Sequence, residues 1–142
     1  MPCPCFEPIE PRPRAADPRR AMLPLGDAWT GFCRAVSGQL FQPDDSLLDA
    51  FCNLGYARGR CARFPANCGP DAARFTIVSD DGAVLRLYYV LERDHRPYAH
   101  GPLEFSVARN ELTTAAEGEL TGLQARAYAQ SYLRRRSESD QW

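Results

Sequence analysis

Val84-Leu85-Arg86-Leu87-Tyr88-Tyr89-Val90-Leu91 carries the clearest periodicity in this chain. Leu85, Leu87, Tyr89 and Leu91 share one face of an extended strand without a break, the pattern of a half-buried strand. Upstream, Arg74-Phe75-Thr76-Ile77-Val78 alternates in the same way. Downstream, Leu103, Phe105 and Val107 do so again. Together they predict a three-stranded antiparallel meander centred on residues 83–92. Asp80-Asp81-Gly82 joins the first two strands. A two-residue turn at Asp81-Gly82 would pair Val78 with Leu85 and place Thr76 on the apolar face. A three-residue loop, with Gly82 left-handed in a bulge, pairs Ile77 with Leu85 and Phe75 with Leu87. The apolar pattern selects this second register. Residues 93–102 hold Pro97, Gly101 and Pro102, which should exclude a continuous ladder between the second and third strands.

About three helices are expected around the meander. Residues 27–40 read as a short one, with Asp27 as N-cap and Trp29, Phe32, Cys33 and Val36 at helical spacing. Pro43-Asp44-Asp45 caps a second, carrying Leu47, Leu48, Phe51, Cys52 and Leu54 on its apolar stripe and stopped by Gly55. Cys52 then falls in the last turn beside the buried face. Thr121-Gly122-Leu123-Gln124 matches a capping box for a third helix, ended by Arg134-Arg135-Arg136. The expected fold class is α+β: a three-stranded antiparallel meander packed against about three helices.

Residues 1–26 form a Pro-rich N-terminal arm before a single domain at 27–142. Seven of the 12 prolines of the chain lie in it: Pro2, Pro4, Pro8, Pro11, Pro13, Pro18 and Pro24. Proline fixes φ and removes a donor, so an extended, polyproline-like arm is expected rather than a helix or a central strand. Yet Cys3, Cys5, Phe6 and Ile9 are unusual choices for a solvated tail. At least the first six residues should be tied down.

A chain of 142 residues can bury a core without staples. There is no run of eighteen apolar residues, so no membrane helix is expected. The net charge of −1 provides no general attraction to nucleic acid or anionic lipid. All 17 basic residues are arginine, which fits a uniform coding bias better than local selection for anion contacts. Met1-Pro2-Cys3-Pro4-Cys5-Phe6 has no apolar segment of the export type, so a cytoplasmic location with reduced thiols is expected.

The six cysteines carry the functional signal. Cys3, Cys5, Cys52 and Cys61 are the main candidate metal ligands, with Cys33 and Cys68 in reserve. No Cys-x2-Cys pair of the zinc-knuckle kind is present. Iron–sulfur sites accept more scattered thiolates, and a Cys-Pro step is common beside them. An iron–sulfur cluster is therefore preferred slightly to zinc. Arg58, Arg60 and Arg63 beside Cys61 could offset thiolate charge. His95 and His100, in the loop around Pro97, could complete a site as imidazole ligands. The bland alternative treats the cysteines as small buried hydrophobes, which suits Cys33 and Cys52.

The leading expectation is a small cytoplasmic metal-binding protein with a structural or electron-transfer role. A metal-free protein-interaction domain is the alternative, and a thiol-dependent enzyme the third. No phosphate loop, nucleophile elbow or His pair on a helix stands out.

Overall fold

A computed structural model describes residues 2–11, 24–35, 41–53, 61, 64, 70–114 and 118–139, with side chains through 136 in the last segment. The elements run β1 (Phe6–Pro11), β2 (Trp29–Cys33), α1 (Asp45–Leu47), a π-helical turn (Leu48–Cys52), β3 (Ala72–Asp80), β4 (Val84–Arg93), β5 (Arg96–Ser106), β6 (Glu111–Leu112) and α2 (Glu119–Ser139). They make two antiparallel sheets, β1-β2 and β3-β4-β5-β6. Among the described residues the expected three-stranded meander against three helices is therefore corrected to two sheets with one long helix and one short one.

The alternation in β4 works as the pattern requires. Leu85, Leu87, Tyr89 and Leu91 are buried, while Arg86 and Tyr88 face solvent. Ala73 and Phe75 of β3 and Leu103 and Phe105 of β5 join the same core. Burying each large side chain stabilises the fold by about 1.5–3 kcal/mol.

The register differs from the expected one. Ile77 lies opposite Leu87 and Phe75 opposite Tyr89, two residues from the reading above. The turn is centred on Gly82 and Ala83, closed by Asp81 N donating to Val84 O at 3.3 Å, with Gly82 at φ +88°. This turn sets Asp80 opposite Leu85 and would carry Ile77 onto the Tyr88 face. A bulge at Val78 restores the parity. The turn thus fixes one register and the bulge corrects it.

The β4–β5 connection is also tighter than expected. Asp94 and His95, at φ +52° and +60°, form a two-residue turn of the kind that suits hairpin twist. The ladder then runs through Pro97, Gly101 and Pro102. β6 pairs only with Phe105 and Ser106. Among the described residues no strand lies beyond residues 96–103. The missing proline donors fall on an edge, where they leave no ladder bond unmade.

The helix expected at 27–40 is a strand over Trp29–Cys33, and residues 36–40 lie outside the described ones. Gly31 explains the choice. A Cβ there would stand 1.9 Å from Glu7 O, so only glycine allows β1 to approach. Asp27 is no cap; it is buried and pairs with Arg134. β1 in turn replaces the polyproline conformation expected for residues 6–11. A two-stranded sheet is all edge, so Pro8 and Pro11 are tolerated in it.

α2 bridges the two sheets. It begins at Glu119, after Gly118 at φ +88°, so Thr121 is buried within the helix instead of capping it. Its inward residues Ala125, Ala127, Ala129 and Ser131 are small and allow close approach. On one side Trp29 Nε1 donates to Ser131 Oγ at 3.2 Å. On the other, Tyr128 stacks on Phe75 at 6.0 Å between centroids and Arg136 grips Asp80. The arginine run is therefore tertiary glue more than a helix terminus: the Arg134 guanidinium also lies over the Trp29 ring.

Candidate thiol site

The N-terminal cysteines sit in one β-turn. Phe6 N donates to Cys3 O at 3.0 Å, with Pro4 at the second position, where its fixed φ fits. Four further bonds pin this turn. Cys3 N donates to Cys52 O at 3.0 Å, and Arg34 N donates to Cys5 O at 2.8 Å. Gln124 Nε2, from α2, donates to Cys3 O at 2.7 Å and to Phe6 O at 2.8 Å. Cys3 and Phe6 are buried as a result, at 7% and 1% exposure.

Two more cysteines approach from other elements. Cys33 ends β2 opposite Phe6, and its N–H donates to Phe41 O. Cys52 ends the π-helical turn, entered through the Asp44 side chain, which accepts from Leu47 N at 2.9 Å. Asn53 fixes that turn against β2. Its Oδ1 accepts from Trp29 N at 3.0 Å, and its Nδ2 donates to Trp29 O and Leu48 O, both at 3.1 Å. The buried amide is satisfied on both ends, which makes it a rigid link. Cys61 packs against the same core cluster.

The thiols feel one another. Cys3 is pushed well above the ordinary thiol range, first by its hydrogen bond with Cys5, then by burial and by the charges of Cys5 and Cys52. Cys52 is pushed up to about 12, first by burial, then by Cys33 and Cys61. Cys52 is therefore within electrostatic reach of Cys3, Cys33 and Cys61, and Cys5 of Cys3. Each thiolate formed would raise the cost of the next, so without a cation the buried members remain protonated. None of the five is in a disulfide.

As placed, no three His, Cys, Asp or Glu side chains among the described residues stand together closely enough to hold one ion. Cys68 and the arginines Arg58, Arg60 and Arg63 lie outside the described residues. His95 and His100 are exposed on the β4–β5 hairpin, and His100 Nδ1 is hydrogen-bonded with Tyr88 OH. Gln124 and Asn53 were missed from sequence. Gln124 sits three residues after Thr121 and imitates a capping box, which hid its role as a clamp.

No family model, no curated protein and no solved structure matches this chain. Among the described residues no helix is long and apolar enough to cross a membrane.

Proposed function

We propose that this chain is a small metal-binding protein using thiolates from the arm, the helix end and the following loop. Cys3, Cys5, Cys52 and Cys61 are the main ligands, with Cys33 beside them. The role is structural or electron-transferring, and an iron–sulfur cluster is preferred to zinc. One observation carries the reading. Cys3, Cys33 and Cys61, each from a different segment, lie near enough to Cys52 for their charges to be felt between them. Soft thiolates in such numbers suit zinc or iron–sulfur chemistry. Loading requires the sulfurs to draw inward by side-chain rotation and to release their protons, so affinity falls as pH falls. A nucleophilic role gains less support, because burial holds Cys3 and Cys52 as thiols.

Elemental analysis with an absorption spectrum on anaerobically purified protein tests this. Metal near one site per chain with thiolate charge-transfer bands is expected. Protein that carries no metal and shows no such band on titration with zinc or ferrous iron and sulfide would overturn it.

The interaction-domain reading draws on a different surface. Val78, Tyr88 and Tyr98 are exposed on the four-stranded sheet, at 65%, 36% and 43%.

A further inference from the structure

We propose that the cleft between β1 and α2 binds a small 2-hydroxy carboxylate with a short branched apolar side group. No cysteine lines this cleft, and the proposal does not rest on metal binding. The cleft measures about 100 Å³, and Ile9, Trp29, Leu123 and Ala127 are among its apolar walls. Trp29 is 2% exposed and its Nε1–H is already donated to Ser131 Oγ, so the indole is a fixed wall. Ile9 is the opposite case. The β1 ladder slips between Pro8 and Glu10, which leaves Ile9 at a bulge, 47% exposed beside the cleft.

Two polar side chains of α2 complete the lining, Arg126 and Gln130, one helical turn apart. Asn110, at φ +55°, holds both. Its backbone O accepts from Arg126 Nε at 3.2 Å, and its Oδ1 accepts from Gln130 Nε2 at 3.1 Å. Among the described residues these are the only partners of either side chain, and no carboxylate pairs with Arg126. Arg126 Nη1 and Nη2 are left to donate, and Gln130 Oε1 to accept. A guanidinium engaged through Nε keeps its outer pair of donors for a carboxylate. Gln130 Oε1 would repel a bare carboxylate but accepts from a hydroxyl on the adjacent carbon. An ammonium at that carbon would be repelled by Arg126. The volume sets the side group. A cavity of about 150 Å³ takes benzene, so this cleft takes about four carbons, an isobutyl group. More of the open lining is polar than apolar, so a hydrocarbon alone would match it poorly.

The test is a titration of the full chain with 2-hydroxy-4-methylpentanoate, followed by NMR at the Arg126 Nε–H, the Trp29 Nε1–H and the Gln130 side-chain amide. Saturable shifts at all three are expected, with half-saturation at about 1 mM. No saturation at these groups, or shifts confined to the cysteine segments, overturns the proposal. Three analogues each lack one feature. 4-Methylpentanoate, without the hydroxyl, should bind about fivefold more weakly. 4-Methylpentane-1,2-diol, without the charge, should lose about tenfold or more, and so should lactate, without the isobutyl group. Any analogue that binds as tightly as the parent acid overturns the proposal. N-acetylleucine should bind no more tightly than the hydroxy acid; tighter binding would make the ligand a peptide chain end and overturn the small acid. Arg126 is exposed, so Arg126→Gln should keep the thermal midpoint while affinity falls about tenfold. Unchanged affinity in that variant overturns the proposal, and the analogue series tests it on the wild type whether or not the variant folds.

Discussion

The four-stranded sheet and the β1–β2 region are held by different forces. In the sheet, apolar side chains of β3, β4 and β5 share one face, and the turn chemistry cooperates with them. In the β1–β2 region, the close approach of Gly31 to Glu7 O and the Cys3–Phe6 turn set the backbone, and two buried amides do the joining. Gln124 reaches back 121 residues to Cys3, and Asn53 spans 24 residues to Trp29. Burial of apolar area is tolerant of detail, whereas a buried amide must find its partners or cost stability. The first region should therefore be robust and globally coupled, and the second specific and locally breakable.

Leu87→Ala strikes the first region and should have the largest effect. Leu87 is 1% exposed at the centre of β4. Its loss should lower unfolding free energy by about 2–5 kcal/mol through the cavity left behind. Chemical denaturation showing an unchanged midpoint would contradict a sheet built on that row.

Gln124→Leu strikes the second. Cys3 O and Phe6 O each lose the Gln124 donor, Cys3 O keeping only the bond from Phe6 N. A cost of about 1–3 kcal/mol is expected. Amide hydrogen exchange should speed up at Cys3 and Phe6 while β4 amides keep their protection. Equal acceleration in both regions would mean that they are one cooperative unit and that the contrast drawn here is wrong.

The smallest effect is electrostatic and joins β3 to α2. Asp80 accepts two bonds from Arg136 Nη1, at 2.7 and 2.6 Å, and one from Tyr132 OH at 2.9 Å. The Arg136 hydrogen bond, then the Gly82 amide, hold its carboxyl below the usual carboxylate range. A depressed carboxyl contributes stability that is full above the unfolded value, near about pH 3.9, and is lost as pH falls through the lower folded value. The pair is only partly buried, so screening by solvent should keep the cost of Asp80→Asn to about 1 kcal/mol or less at neutral pH. The variant and the wild type should converge in acid. A difference that grew on acidification would contradict the sign.

These contrasts also explain what the sequence could tell. The apolar face of β4 was legible because period two needs only local residues. The β3 register was not, because the turn and the Val78 bulge compensate, and the pattern shows only their net parity. By sequence alone Pro97 and Pro102 read as ladder breakers, since nothing local reveals that this part of β5 lies at an edge. Trp29, Phe32, Cys33 and Val36 suit a helix by spacing; the partner that makes 29–33 a strand, β1, lies in a proline-rich segment. At the site, the cysteines themselves stood out, and Cys52 does end a helical turn. Its meeting with Cys3 depends on Asn53 and Gln124, whose roles appear only once distant segments are in place.

Sulfur counting at the metal tests the central claim most directly. Metal-edge X-ray absorption on anaerobically purified protein should show about four sulfur neighbours, near about 2.3 Å for zinc. In Cys3→Ser/Cys5→Ser, two of those sulfurs should disappear. A first shell of nitrogen and oxygen, or an unchanged sulfur count in the double variant, would contradict a site shared between the arm and Cys52.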